Sequence, residues 1–238
     1  MNKQILMLAG VLAGASAASA SVTFSDGVFA SGTWTSSLVA NANGAGSTFN
    51  SAQFLNGGNP NEYLQIVANV QVSGPNGGAF LLFMNNTAFY NPVSSGAVSA
   101  IDYSEDSINF LQNSGDGMIT GLAITQGGKT YVQRNPLLVM PYPTFNTWGA
   151  NASPGLNPSD LWELDSTGVL HQSSNPDWSA SGGAMQMGFY RAMSSGNSTS
   201  SFVREAGIDN WNVRIIPAPG VGALLALAGA ASMRRRRS

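Results

Sequence analysis

The chain contains no cysteine, which removes disulfides, a thiol nucleophile and thiolate metal ligation together. Histidine occurs once, at His171. One imidazole is too few for an ordinary zinc site, and no serine stands in a nucleophile-elbow motif that could recruit it into a triad. Charge is scarce, at 9% of residues. Long apolar runs are missing too: neither Ile5 to Ala13 nor the thirteen residues from Val221 to Met233 reach the roughly twenty that a membrane-crossing helix needs. A domain without disulfides must be held by burial alone, so a broad sheet core is expected.

What charge there is divides unevenly. Between Ser21 and Ile216 lie five basic residues (Lys129, Arg134, Arg191, Arg204, Arg214) against twelve acidic ones, a net of −7. The whole-chain value of −2 conceals this, because Lys3 and Arg234 to Arg237 supply the other positive charges. An acidic body with no basic patch excludes nucleic acid as a partner.

Within that body, short apolar runs alternate with clusters of Gly, Ser, Asn and Thr, the pattern of an all-β domain. Leu64, Ile66, Ala68, Val70 and Val72 recur with period two, as in a strand with one buried face. Gly74 to Gly78 reads as a turn into an apolar strand, Ala79 to Met84, and the pair reads as a hairpin. Further strands are expected at 97–103, 107–112, 118–126, 129–133, 161–164, 168–171, 183–191 and 208–216. Gln126 to Lys129 makes a tight turn, and Trp211, Val213 and Ile215 face one way in the last strand. The proline-rich stretch from Pro136 to Pro158 reads as an extended loop between layers. No repeat is present, and helical periodicity is confined to the two ends. The whole predicts an antiparallel β-sandwich of jelly-roll type, with its first and last strands adjacent.

Phe24-Ser25-Asp26-Gly27, Asn175-Pro176-Asp177-Trp178-Ser179, Gly188-Phe189-Tyr190 and Ile208-Asp209-Asn210-Trp211 give the body a resemblance to jelly-roll domains that accompany C-terminal sorting tails and to carbohydrate-binding modules. Four chemistries are then worth weighing. Glu163 and Asp165 resemble part of the carboxylate motif of sandwich-fold glucanases, but Ser166, Thr167 and Gly168 follow where a further glutamate is needed, leaving no acid/base partner. Calcium suits oxygen donors, and Asp26 near the first strand could meet Asp209 and Asn210 near the last; the same carboxylates could equally cap turns through backbone amides. Glu105, Asp106 and Asp116 form another acidic grouping, without the order of an EF-hand loop. For sugar stacking the candidates are Trp148 and Tyr142 in the proline-rich stretch, with Trp34, Trp162 and Trp178 read more readily as packing.

The two ends read as one export system. Lys3, the apolar run after it and Ala18-Ser19-Ala20 have the layout of a cleavable signal over residues 1–20. At the other end, Pro217-Ala218-Pro219-Gly220 precedes the apolar run of Val221 to Met233 and the block Arg234, Arg235, Arg236 and Arg237, which would stay cytoplasmic. This order resembles the PEP-CTERM sorting signal, with Ala218 in place of the central glutamate. The resemblance implies a tail over 217–238 held initially in the inner membrane, an exosortase-type peptidase as partner, and delivery to a cell envelope or matrix rich in extracellular polysaccharide. The expected role is structural or adhesive and not enzymatic, with a carbohydrate-binding module, stabilised by calcium, as the alternative.

Overall fold

A computed structural model describes residues 20–110, 118–138 and 145–219. The expected signal and the tail from Gly220 onward lie outside the described residues, as does Tyr142. Among the described residues no helix is long and apolar enough to cross a membrane.

Two antiparallel sheets face each other. The first contains β1 (Val22–Asp26), β3 (Thr48–Gly58), β4 (Asn61–Val70), β6 (Val98–Asn109), β10 (Gly149–Leu156) and β14 (Phe202–Pro217), in the order β10-β6-β14-β4-β3, with β1 also on β14. The second contains β2 (Trp34–Ala40), β5 (Gly78–Tyr90), β7 (Ile119–Gln126), β8 (Lys129–Gln133), β9 (Leu137–Leu138), β11 (Leu161–Leu164), β12 (Leu170–His171) and β13 (Met185–Ser194). Its order is β12-β11-β8-β7-β13-β5-β2, with β9 on β7. The jelly-roll-like sandwich and the adjacency of first and last strands are as expected: Val22 pairs with Ile215 and Asp26 with Trp211.

The core is what the period-two pattern dictates. Ile66, Ala68 and Val70 of β4 and Trp211, Val213 and Ile215 of β14 face Leu81 and Phe83 of β5 and Met185, Met187 and Phe189 of β13 across the sandwich. Phe83 and Phe189 stack at 4.7 Å, and Trp34 meets Trp211 edge-on at 4.8 Å. Each fully buried Val, Leu, Ile, Met or Phe among them contributes about 1.5–3 kcal/mol by leaving water.

A second apolar cluster occupies the outer face of the second sheet: Leu82, Met84, Ala123, Val132, Leu164 and Tyr190. This sheet curls until the turn after β11 reaches the end of β2 at one corner, with no strand pairing between them. Gly168, in the turn after β11, lies so close to the end of β2 that an added Cβ would sit 3.1 Å from the Asn41 amide nitrogen. Curling gives the sheet an interior of its own, which is why these outward-facing residues are buried.

Three expectations are corrected. The strand at 64–72 and the strand at 79–84 are not a hairpin: β4 belongs to one sheet and β5 to the other. Their buried faces confront each other across the core, so Gly74 to Gly78 must cross between layers. That crossing is tied to Asn43, whose Nδ2 donates to Pro75 O and whose carbonyl accepts from Ser73 N. The strands expected at 97–103 and 107–112 are one strand, β6, because polar Ser104 to Asp106 continue the ladder instead of ending it. The stretch from Pro136 to Pro158 crosses between layers but also contains β9 and β10; Pro154 is tolerated in β10 because that strand is at a sheet edge and its register shifts there.

Polar Glu105 points inward. Its Oε2 accepts from Arg191 Nη1 at 3.0 Å and from Thr120 Oγ1 at 3.0 Å, and Tyr103 OH donates to the same oxygen. The pair bridges the two sheets with both side chains at 0% exposure. Burial first, then the Glu105 charge, pushes the Tyr103 phenol well above its ordinary pKa.

Candidate functional site

The chemistry-bearing residues converge on the β3–β4 hairpin. Its tip, Asn59-Pro60, joins Gly58 to Asn61, and Gly58 is required: a Cβ there would overlap the Glu62 carbonyl oxygen. Asp209 grips this tip. Its Oδ2 accepts from Asn59 N at 2.5 Å, and its Oδ1 from Asn210 N at 2.6 Å. Asn210, at a positive φ of 50° where β14 bulges against β6, donates through Nδ2 to Asp106 Oδ2 at 2.8 Å and to Asn59 O. Asp106 and Asp209 sit directly opposite each other on neighbouring strands. Burial raises the Asp209 carboxyl above the usual carboxylate range; the Asn59 and Asn210 amides oppose that, and the Asp106 and Glu62 charges add to it.

Beside this polar knot lies a cluster of rings on the outer face of the first sheet. Phe54 of β3 and Tyr63 of β4 are cross-strand partners, stacked at 5.4 Å and 25°. Trp148 meets Tyr63 edge-on at 5.5 Å and donates its indole N–H to Gly57 O at 2.8 Å. Phe110 closes the group at 6.0 Å from Tyr63. The rings can lie flat on the sheet because Gly207 beneath them has no side chain; a Cβ there would come within 3.0 Å of both Trp148 and Tyr63. Phe54 is 41% exposed and the adjoining Leu55 is 65% exposed. Gln65 donates to Glu205 at 2.7 Å alongside. The result is an apolar plate rimmed by amides and carboxylates.

The other sequence candidates separate. Asp26 caps its own turn, with Oδ1 accepting from Val28 N and Phe29 N and Oδ2 accepting from the Trp34 indole at 2.7 Å. It nears Asp209 and Asn210 only through Gly27, whose added Cβ would lie 3.2 Å from Asp209 Oδ1. Among the described residues no group of three or more acidic or imidazole side chains is placed to hold a metal. Glu163 is bound by Lys129 at 2.7 Å. Asp165 accepts from Thr167 and Val169 and pairs with His171 at 2.8 Å, and that His171 bond above all holds its carboxyl well below the usual range. Glu105 points into the core and Asp106 outward, so they share no site; Asp116 lies outside the described residues, with Gly220 and Arg234 to Arg237. Trp178 and Trp211 are fully in the core, Trp34 packs against it, and Trp162 lies under Arg134. Pro217 ends β14, and Ala218 N donates to Ala97 O.

A separate cleft of about 500 Å³ opens at one mouth of the curled sheet, lined by Asn41, Asn76, Phe80, Ile119 and Ser194, and it carries no charged group. Phe54 and Tyr63 were not singled out by sequence. Their near-symmetric placement about Gly57-Gly58-Asn59-Pro60-Asn61 is the signal that could have found them.

No family model matches the chain, and no curated protein matches it. Among solved structures it is similar to the CBM22-1 xylan-binding domain of Paenibacillus barcinonensis Xyn10C, at 9% identity and a TM-score of 0.36, over 82% of this chain and 94% of that one. It is also similar to the agarase AgWH50C (10% identity, TM-score 0.37, 73% of this chain) and to an exo-β-agarase (10%, 0.36, 76%). In both agarases the likeness spans 24% of the larger chain. The overlap is loose in every case.

Proposed function

We propose that this is an exported, non-catalytic adhesive domain of a cell envelope or extracellular matrix, and that it grips polysaccharide at the ring plate on the β3–β4 hairpin. The observation that carries the reading is Phe54, exposed and stacked on Tyr63, next to Trp148 and rimmed by Asn59, Asn210, Asp106 and Glu205. An apolar ring face covers the C–H face of a pyranose, and amide and carboxylate groups at its rim bind hydroxyls. The non-catalytic part of the reading is supported by the absence of a further glutamate after Glu163 and Asp165, where Ser166, Thr167 and Gly168 stand. Export rests on the signal-like and PEP-CTERM-like ends, with an exosortase-type peptidase as the processing partner and the tail in the inner membrane before release.

Affinity electrophoresis through gels carrying a panel of neutral and acidic polysaccharides tests the site. At least one gel retards the protein, and Phe54→Ala or Trp148→Ala weakens that retardation by about fivefold, the worth of about 1 kcal/mol per ring contact. Unretarded migration in every gel, or retardation indifferent to both substitutions, overturns the glycan reading. For export, mass spectrometry of the surface-exposed protein is expected to find neither the residues before Ser21 nor the arginine block, and finding Arg237 there rejects the sorting proposal.

A further inference from the structure

β10, β3 and the short β1, which pairs only with β14, are edges of the first sheet, β12 and β2 of the second, and they are treated differently. β10 carries Pro154 and a register shift, and β12 is only two residues long. These are the usual devices that stop an edge from pairing with another chain. The long edges are β3, eleven residues, and β2, seven residues, which lie on the same side of the sandwich. Neither strand contains a charged residue or a proline. Exposed and half-buried residues alternate along β3 from Thr48 to Phe54. Among the described residues, no hydrogen bond from outside β4 reaches the main chain of Thr48 to Asn56. Every second N–H and C=O of that stretch therefore faces outward, as antiparallel pairing on one side only requires. The two edges flank one groove of about 240 Å³, lined by Ser36 of β2 and by Ser51, Ala52 and Gln53 of β3, with the Phe29-to-Gly32 loop forming a further wall and Phe83 behind them.

We propose that β3 is a self-association edge: a second copy of this chain lays its own β3 antiparallel alongside, across a two-fold axis, and continues the first sheet from one molecule into the other. Charge argues for a second copy over a foreign strand. The body carries −7, so two copies repel wherever their charged surfaces meet, and this edge brings no charge opposite another. A basic partner would find no carboxylate on β3 to recognise. Because β2 opens on the same side, the joint spans both layers. Nine residues of strand at ~3.4 Å each, across a two-layer thickness of ~20 Å, cover ~600 Å² on each copy, at the lower limit for a specific dimer. Exposed Leu55, and Val28 tied to β3 by the Gln53 Nε2 bond to its carbonyl, add apolar area at one end. A two-fold joint of this kind closes on itself and gives a dimer, not a fibre.

The test is sedimentation equilibrium of the full chain from ~1 to ~200 µM, alongside two variants at exposed outer-face positions of β3, Asn50→Lys with Ala52→Lys and Asn50→Glu with Ala52→Glu. Wild type dimerises. Each variant alone dimerises at least about tenfold more weakly, because like charges face across the joint, and an equimolar mixture of the two recovers the dimer. Circular dichroism of the variants matches wild type, as does melting at concentrations where wild type is monomeric, since the substituted side chains are exposed. A wild type that stays monomeric throughout overturns the proposal. So does association that both variants retain, which would place the contact elsewhere, or a mixture no better than its components. Loss of glycan retardation in Trp148→Ala, which is off β3, with the dimer intact separates this joint from the polysaccharide site.

Discussion

Replacing Arg191 by Met tests how the two sheets are locked together. Arg191 and Glu105 are both fully buried, and only one guanidinium nitrogen is used: Nη1 donates to Glu105 Oε2 and to Thr120 Oγ1. Arg191 Nε and Nη2 and Glu105 Oε1 have no hydrogen-bond partner among the described residues. The pair therefore bears a large desolvation cost that its geometry offsets only in part. Arg191→Met strands the Glu105 charge in the core and is expected to destabilise by about 3–5 kcal/mol. For a body of this size that lowers Tm by roughly 6–20 °C. Glu105→Gln strands the guanidinium instead and costs a similar amount. Made together, the two changes remove both charges, while the amide introduced by Glu105→Gln still partners Tyr103 and Thr120. The double variant should then lie within about 2 kcal/mol of wild type, a coupling of several kcal/mol. Urea denaturation of the four proteins reads the cycle directly. Additive losses, or a single Arg191→Met loss under about 1 kcal/mol, would refute the reasoning.

Three further outcomes are expected. Asp26→Ala frees Val28 N, Phe29 N and the Trp34 indole and should cost about 1–3 kcal/mol, with the same drop in calcium and in chelator by calorimetry if the carboxylate is a turn cap; a loss confined to calcium would make it a metal ligand. Gly188→Ala drives a Cβ into the Phe83 carbonyl oxygen and against Met84 Sδ and Cα, so it should cost about 3 kcal/mol or more in a thermal melt, and a neutral result would mean that β13 and β5 are not paired as described. Asp165 has a depressed folded-state pKa, so its stabilisation is complete above the ordinary aspartate range and is lost as pH falls through and below it. The Tm gap between wild type and Asp165→Asn should accordingly narrow from pH 6 to pH 2, and a gap that widens would contradict the His171 pairing. Asp209 works in the opposite sense, its raised carboxyl relieving a penalty as pH falls.

Much of the sandwich was legible because burial on one face of a strand writes itself at every second residue. Met185, Met187 and Phe189, or Trp211, Val213 and Ile215, could hardly be read otherwise, and Gln126 to Lys129 announced its hairpin. What escaped was long-range. Whether β4 and β5 share a sheet depends on which partner each finds, and both strands carry the same alternation in either case. Glu105 looked like an interruption because its counter-charge, Arg191, is far along the chain. The ring plate escaped for a related reason. Phe54, Tyr63 and Trp148 are dispersed in sequence and meet only through strand pairing and the gap left by Gly207. Asp209 and Asn210 were picked out as oxygen donors, and they do meet Asp106, but as the clasp of the hairpin tip.

The sixteen residues of β14 lie between β6 on one side and β4, then β1, on the other, and run out at Pro217 beside Val98. A pull on the chain beyond Pro219 is directed along that strand. It strains the ladders to β6 and β1 lengthwise and all at once, instead of unzipping them bond by bond from an end. A domain hung from its carboxyl end would thus take load on its most central strand. The β3–β4 hairpin, clasped to Asp209 midway along the same strand, lies behind those ladders and is shielded from the pull until they shear.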